Sequence, residues 1–170
     1  MAHRPSEGFM NRRGLTLIET MAVVVVVLGI AGLAIPMLGN DAGSRLAAAS
    51  MMLRDDLEQA RYRTISDPAD PVALVVDADG FGWSLVHDAD RTMSIVRGDG
   101  DAWTVRFDDP RTTDLAGIRV VTDVDDRCIR FDARGVLLND DKPSMRLELG
   151  EDHRRLDIGV VSGLVTIRRD

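Results

Sequence analysis

A single cysteine, Cys128, stands in 170 residues. No disulfide can form within the chain, and an oxidising compartment is allowed without the fold depending on one. Signatures of catalysis are missing too. His3, His87 and His153 make no spaced set of ligands with Cys128, so no zinc site is expected. There is no glycine-bracketed serine, no phosphate-binding glycine loop and no HExxH spacing, which leaves nucleophilic, phosphoryl-transfer and metalloprotease chemistry without a motif. An enzyme is not expected, nor any cofactor. Basic charge is in deficit: 21 basic residues face 28 acidic ones, and downstream of Gly14 the balance is 18 against 27, or −9. That excess disfavours a general nucleic-acid or anionic-membrane binder, which needs a net basic surface. Charge of either sign is scarcest between Leu15 and Leu38, where Glu19 is the only charged residue, and no Lys, Arg or His occurs from Leu15 to Asp41.

What fills that stretch is apolar. Met21 to Ile35 is an unbroken run of apolar residues and glycine, with five consecutive valines from Val23 to Val27. As a helix, Leu15 to Leu38 would be roughly 36 Å long, enough to cross a hydrocarbon core of about 30 Å. A helix in a soluble core would show a polar face at every turn, and from Met21 to Leu38 none exists. Glu19 therefore stands out, because a carboxylate near the bilayer centre costs about 2.5–3.5 kcal/mol and marks a candidate functional position.

The residues that frame this run, Arg12-Arg13, then Gly14-Leu15-Thr16-Leu17-Ile18-Glu19, resemble the class III signal of type IV pilins and type II secretion pseudopilins. In that family a prepilin peptidase cuts after the glycine and methylates the new N-terminus. The resemblance implies cleavage between Gly14 and Leu15, N-methylation of Leu15 and an assembly role for Glu19. Leu15 stands where the family usually has phenylalanine, and Pro36 falls where pilin helices commonly carry a proline. That proline removes one helical hydrogen bond, so a kink is expected there.

Four segments follow. Residues 1–14 are a charged leader that stays cytoplasmic by the positive-inside rule; unlike an ordinary secretory signal, its apolar region lies after the cut. Residues 15–38 form the transmembrane helix. Residues 39–66 continue it as an amphipathic helix, with Leu46, Ala49, Leu53, Leu57, Ala60 and Thr64 in one stripe and Arg45, Arg54, Asp55, Asp56, Glu58 and Arg61 on solvated positions. Residues 67–170 read as short strands and turns: Val72 to Val76, Gly82 to Val86, Met93 to Val96, Trp103 to Phe107, Ile118 to Thr122, Cys128 to Phe131, Val136 to Leu138, Met145 to Leu149, Leu156 to Val161 and Leu164 to Ile167. The expected fold class is α+β: a long N-terminal membrane-spanning helix whose second half packs on an antiparallel sheet or β-sandwich.

Cys128 to Phe131 with Gly135-Val136, then Leu156 to Val165, resembles the C-terminal hairpins of H-type minor pseudopilins. The resemblance implies a structural subunit of a type II secretion pseudopilus, single-pass in the bacterial inner membrane with a periplasmic domain. The partners it implies are other pseudopilin subunits, the prepilin peptidase, the inner-membrane secretion platform, membrane lipid and a secreted protein cargo. The alternative is a membrane-anchored binding module, such as a type IV pilus minor pilin holding DNA or another ligand; Arg154, Arg155, Arg168 and Arg169 give it a candidate basic patch, against the net charge. The pairs Asp77/Asp79, Asp88/Asp90, Asp99/Asp101 and the set Asp123/Asp125/Asp126 offer oxygens to calcium. None continues into a full twelve-residue loop, and turns favour aspartate in any case.

Overall fold

The computed structural model describes residues 17–34, 42–109, 114–139 and 142–168, with backbone alone over 29–34. It divides into two compact units, Met1–Gly39 and Asn40–Asp170.

The first unit contributes helix α1, Leu17–Ala34. Its 18 described residues span about 27 Å, just short of the roughly 30 Å hydrocarbon thickness. No helix among the described residues is long and apolar enough to cross a membrane. The expected span from Leu15 to Leu38 reaches past the described residues at both ends, and Pro36, the expected kink, lies outside them.

In the second unit, α2 (Ala42–Ser66) buries the expected stripe, Leu46, Ala49, Leu53, Leu57, Ala60 and Thr64, and adds Ser50. Spacings of three and four put these side chains on one face. Ser50 lies in that face with its hydroxyl donating to the Leu46 carbonyl at 2.6 Å, so its polar atom is satisfied within the helix. Asp67 precedes Pro68, which disfavours helical angles, and the helix stops. Thr64 ties this end to the first strand: its hydroxyl accepts the Val72 N–H at 3.0 Å and donates to the Ala60 carbonyl at 3.0 Å.

Eight strands follow: β1 Val72–Val76, β2 Gly82–His87, β3 Thr104–Arg106, β4 Arg119–Thr122, β5 Cys128–Ile129, β6 Ser144–Leu149, β7 Asp152–Ile158 and β8 Val165–Arg168. They make two antiparallel sheets, ordered β3-β2-β1-β5 and β4-β6-β7-β8. Helix α2 packs on β1 of the first and on β6, β7 and β8 of the second. Leu46, Leu53 and Leu57 share one core with Leu74, Trp83 and Phe107 of the first sheet region and Met145, Leu147 and Leu156 of the second. Trp83 meets Phe107 edge to face, with ring centroids 5.4 Å apart, a favoured aromatic geometry. The α+β class and the helix-on-sheets arrangement are as expected.

Three strand expectations need correction. Met93 to Val96 and Val136 to Leu138 are not strands; they contribute only isolated bridges, Val86↔Ser94, Val96↔Ala102 and Phe131↔Leu137. Each is a short apolar run beside a tight turn, and one bridge does not extend into a ladder. The seventh strand begins at Asp152 rather than Leu156. Its charged start, Asp152-His153-Arg154-Arg155, reads as loop. It forms strand because Leu149 pairs with Asp152 across a two-residue turn, Gly150-Glu151, with Gly150 at φ 63°. Positive φ at the first central residue alone is what a II′ hairpin turn uses.

Candidate functional site

On α1, every described side chain from Leu17 to Leu28 is exposed, Glu19 among them. Leu17 is 82% exposed and the five valines are each more than half exposed, so apolar surface faces outward all round the helix. Glu19 sits in the first described turn, and the Thr20 hydroxyl next to it donates to the Leu17 carbonyl at 2.8 Å. Gly14 and Leu15, the expected cleavage and methylation positions, lie outside the described residues.

The domain's polar groups hold helix to sheet. Asp56 was expected on the solvated face of α2, yet its carboxylate accepts the Trp83 indole N–H at 2.7 Å and the Trp103 indole N–H at 2.9 Å. Burial pushes its carboxyl up, while the two indole bonds and the nearby Arg97 charge pull it back. Arg45 also turns inward. It donates to the carbonyls of Asp114, at 2.5 Å, and Ala116. Arg61 reaches the Gly135 carbonyl at 3.0 Å. A side chain at Gly135 or Gly163 would collide with that guanidinium. The sequence signal missed here was the pair of tryptophans: a buried indole N–H needs an acceptor, and the helix was the place to seek it.

The aspartate-rich turns are built by their own carboxylates. Asp79, Asp90, Asp99 and Asp126 each accept the N–H of the residue two positions on, the Asx-turn pattern. Arg106 binds Asp77, Asp79 and Asp108 at 3.1, 2.8 and 2.7 Å. The Phe81 N–H and then Arg106 hold Asp79 low; Arg106 holds Asp108 low; burial pushes Asp77 up. Among the described residues, no group of three or more His, Cys, Asp or Glu side chains is placed to hold a metal ion.

The arginine patch is partly paired in place. Arg155 and Arg168 both bond Asp157, at 2.9 and 3.3 Å, Arg154 donates to the Gly43 carbonyl at 3.3 Å, and Arg169 lies outside the described residues. His87 bonds Asp70 at 2.6 Å. Cys128 is buried, and burial pushes its thiol up to about 11.

No protein-family model matches the chain, and no curated protein matches it. Among solved structures it is similar to the type IV minor pilin FimU of Pseudomonas aeruginosa strain PAO1. That likeness has 17% identity and a TM-score of 0.50, over 75% of this chain and 89% of that one. A second crystal form of FimU gives 16% identity, 72% and 92% coverage and a TM-score of 0.49. At such identity the likeness is one of fold: this chain has a type IV pilin-like fold, an N-terminal helix packed on antiparallel sheets.

Proposed function

We propose that this protein is a minor subunit of a pilin-type assembly, namely the short pseudopilus of a type II secretion system, of the H-type class. The observation that carries the reading is α1, whose described side chains are exposed and apolar apart from Glu19 and Thr20 in its first turn, ahead of a domain with a pilin-like fold. Cleavage after Gly14 frees the Leu15 amine, which is then methylated. The helix anchors in the bacterial inner membrane, and the domain lies in the periplasm, where it contacts neighbouring subunits, the secretion platform and cargo. The work is structural, not catalytic.

Glu19 acts between subunits. Within one chain a contact between the Leu15 amine and Glu19, four residues on, is worth only a few tenths of a kcal/mol. That does not offset the carboxylate's cost in lipid, about 2.5–3.5 kcal/mol near the bilayer centre and less toward an end. Between packed helices the lower dielectric strengthens the same charge pair and sets the axial register of one helix against the next. No observation favours the DNA-binding alternative, since Arg155 and Arg168 already share Asp157.

The test is disulfide crosslinking in membranes from a cysteine placed at Met21 or Val24. Cys128, buried with its thiol raised to about 11, stays silent. Adducts with cysteine-bearing N-terminal helices of other pseudopilins are expected. Monomers alone would count against the subunit reading.

A further inference from the structure

We propose that the free edge of β8 pairs with the same strand of a second copy of this chain, antiparallel about a two-fold axis, so that two sheets of order β4-β6-β7-β8 join across a β8–β8 seam. The sheet edges differ in how they are closed. At β5 the outward groups are taken within the chain: Asp126 and Asn139 side chains bond the N–H and carbonyl of Cys128, while Asn139 and the Leu138 N–H bond the N–H and carbonyl of Arg130. At β4 the Val120 N–H goes to the Gly80 carbonyl at 2.8 Å. Strand β3 is three residues long and ends on Arg106, held among Asp77, Asp79 and Asp108, and a short, charged strand protects an edge.

Strand β8 has no such closure. Backbone groups alternate sides along an antiparallel strand, and the Ile158 N–H points to Pro143 on the β6 side. Thr166 and Arg168 therefore bond to β7, opposite Asp157 and Arg155, and Val165 and Ile167 turn their N–H and carbonyl groups outward. Among the described residues these outward groups have no partner. The strand, Val165–Arg168, holds no proline and no glycine. An edge of this kind is a template for another strand.

The second copy fits because β8 is complementary to itself. With Val165 of one copy opposite Ile167 of the other, the outward groups of both strands bond across the seam. Val165 and Ile167 then pair on the core side, and Thr166 meets Thr166 of the second copy on the outer face, both favourable cross-strand pairs. Arg168 lies beside Leu164 of the second copy, a residue 58% exposed in the single chain. The two Arg168 residues stand four positions apart along the seam, about 13 Å, which exceeds a Debye length of about 8–10 Å. A slide that set Ile167 against Ile167 would bring them to about 7 Å along the strands, so charge selects the first register. Each domain is acidic, 18 basic against 26 acidic residues from Asn40 to Asp170, but the carboxylate behind the seam, Asp157, is held by Arg155 and Arg168.

Helix α2 packs over β6, β7 and β8. Across the seam the two helices stand about three strand spacings apart, about 14 Å, clear of the 8–10 Å at which helices touch. The two-fold axis runs them antiparallel, so the contact belongs to chains outside a bundle of parallel helices. It lies wholly on the second unit and does not rest on the role of α1. So short a seam buries far less than the about 1,200–2,000 Å² of a stable complex, which makes the dimer reversible and suited to covalent trapping.

The test is oxidation of Thr166→Cys in the full chain in membranes, with Val121→Cys, exposed on β4, as control. The Thr166 pair is a non-hydrogen-bonded one, with Cβ atoms about 4.5–5.5 Å apart, near enough for a disulfide to close. Cys128 is buried and stays silent. A disulfide-linked homodimer, identified by mass, is expected. Chains with Leu164→Cys should link to co-expressed chains with Arg168→Cys, and neither to its own kind. Ile167→Pro removes an outward N–H and spares the bonds to β7; added to Thr166→Cys, it should lower the yield at least about tenfold. Its thermal melt is recorded, and if it does not fold, the mixed pair decides. Thr166→Cys adducts at the Val121→Cys level, or adducts to a different protein in place of a second copy, would overturn the proposal. So would an undiminished yield from folded Ile167→Pro, or Leu164→Cys chains that link only to themselves.

Discussion

Removing the Asp56 carboxylate tests how α2 is held to the first sheet. In Asp56→Ala the Trp83 indole N–H, on a side chain with 0% exposure, loses its acceptor at 2.7 Å. A buried donor left unsatisfied costs about 1–3 kcal/mol. The half-buried Trp103 N–H, bonded at 2.9 Å, can find water and adds about 1 kcal/mol or less. Relief of Asp56's own burial offsets part of this, so a net loss of about 2–3 kcal/mol is expected. At about 3–5 °C per kcal/mol for a domain of this size, the melting temperature should fall by roughly 6–15 °C. Asp56→Asn should cost less, because its amide oxygen still accepts one indole while its NH2 opposes the other.

The assay is intrinsic fluorescence of the full chain in detergent, which is unusually direct here: the chain has two tryptophans, and both donate to Asp56. Acid adds a signed check. Burial raises the Asp56 carboxyl above its unfolded value, so the folded state holds the proton more tightly, and this contribution is lost as pH rises through the folded pKa. The margin of the parent over Asp56→Asn should therefore widen as pH falls from neutral toward the ordinary carboxylate range. Unchanged melting and emission in Asp56→Ala, or a margin that narrows in acid, would refute the clamp.

Further outcomes follow from the same packing. Leu53 has no exposed surface, so Leu53→Asp places a charge in the core and should cost at least about 4 kcal/mol, read as loss of the cooperative melt. A Cβ at Gly82 would overlap the Val105 carbonyl oxygen. Gly82→Ala should part β2 from β3 and destabilise by about 3 kcal/mol in a denaturant titration. Intact mass of protein extracted from membranes should show loss of Met1 to Gly14 and one added methyl; a product that begins at Met1 would contradict the processing reading.

The stripe of α2 was legible because a 3.6-residue period is written in side-chain type alone, and Leu46 through Thr64 are buried as read. Turn chemistry was equally plain: Asp79-Gly80, Asp99-Gly100, Arg134-Gly135 and Ser162-Gly163 are turn dipeptides by composition, and each of these glycines takes a positive φ. What was not legible is what depends on partners distant in sequence. Asp56, Arg45 and Arg61 are ordinary surface residues by pattern, and only the fold brings Trp83, Ala116 and Gly135 within their reach. The start of β7 was hidden for a related reason. A strand in an open sheet shows a polar face to solvent, and four charged or polar residues in a row mask its period. On α1 the apolar run and its lone carboxylate were visible at once, because nothing else in the chain competes with them.

The most direct test of the subunit reading is Glu19→Ala in the α1 crosslinking assay, scored against processing of the same protein. Cleavage after Gly14, membrane insertion and the domain's melting temperature should stay at parental values, while disulfide adducts from a cysteine at Met21 to other pseudopilin helices, and secretion with them, fall sharply. A variant that is never processed would assign Glu19 to the peptidase's recognition of the leader and not to contacts between subunits. A processed Glu19→Ala protein that crosslinks and secretes like its parent would contradict the registry role of this carboxylate.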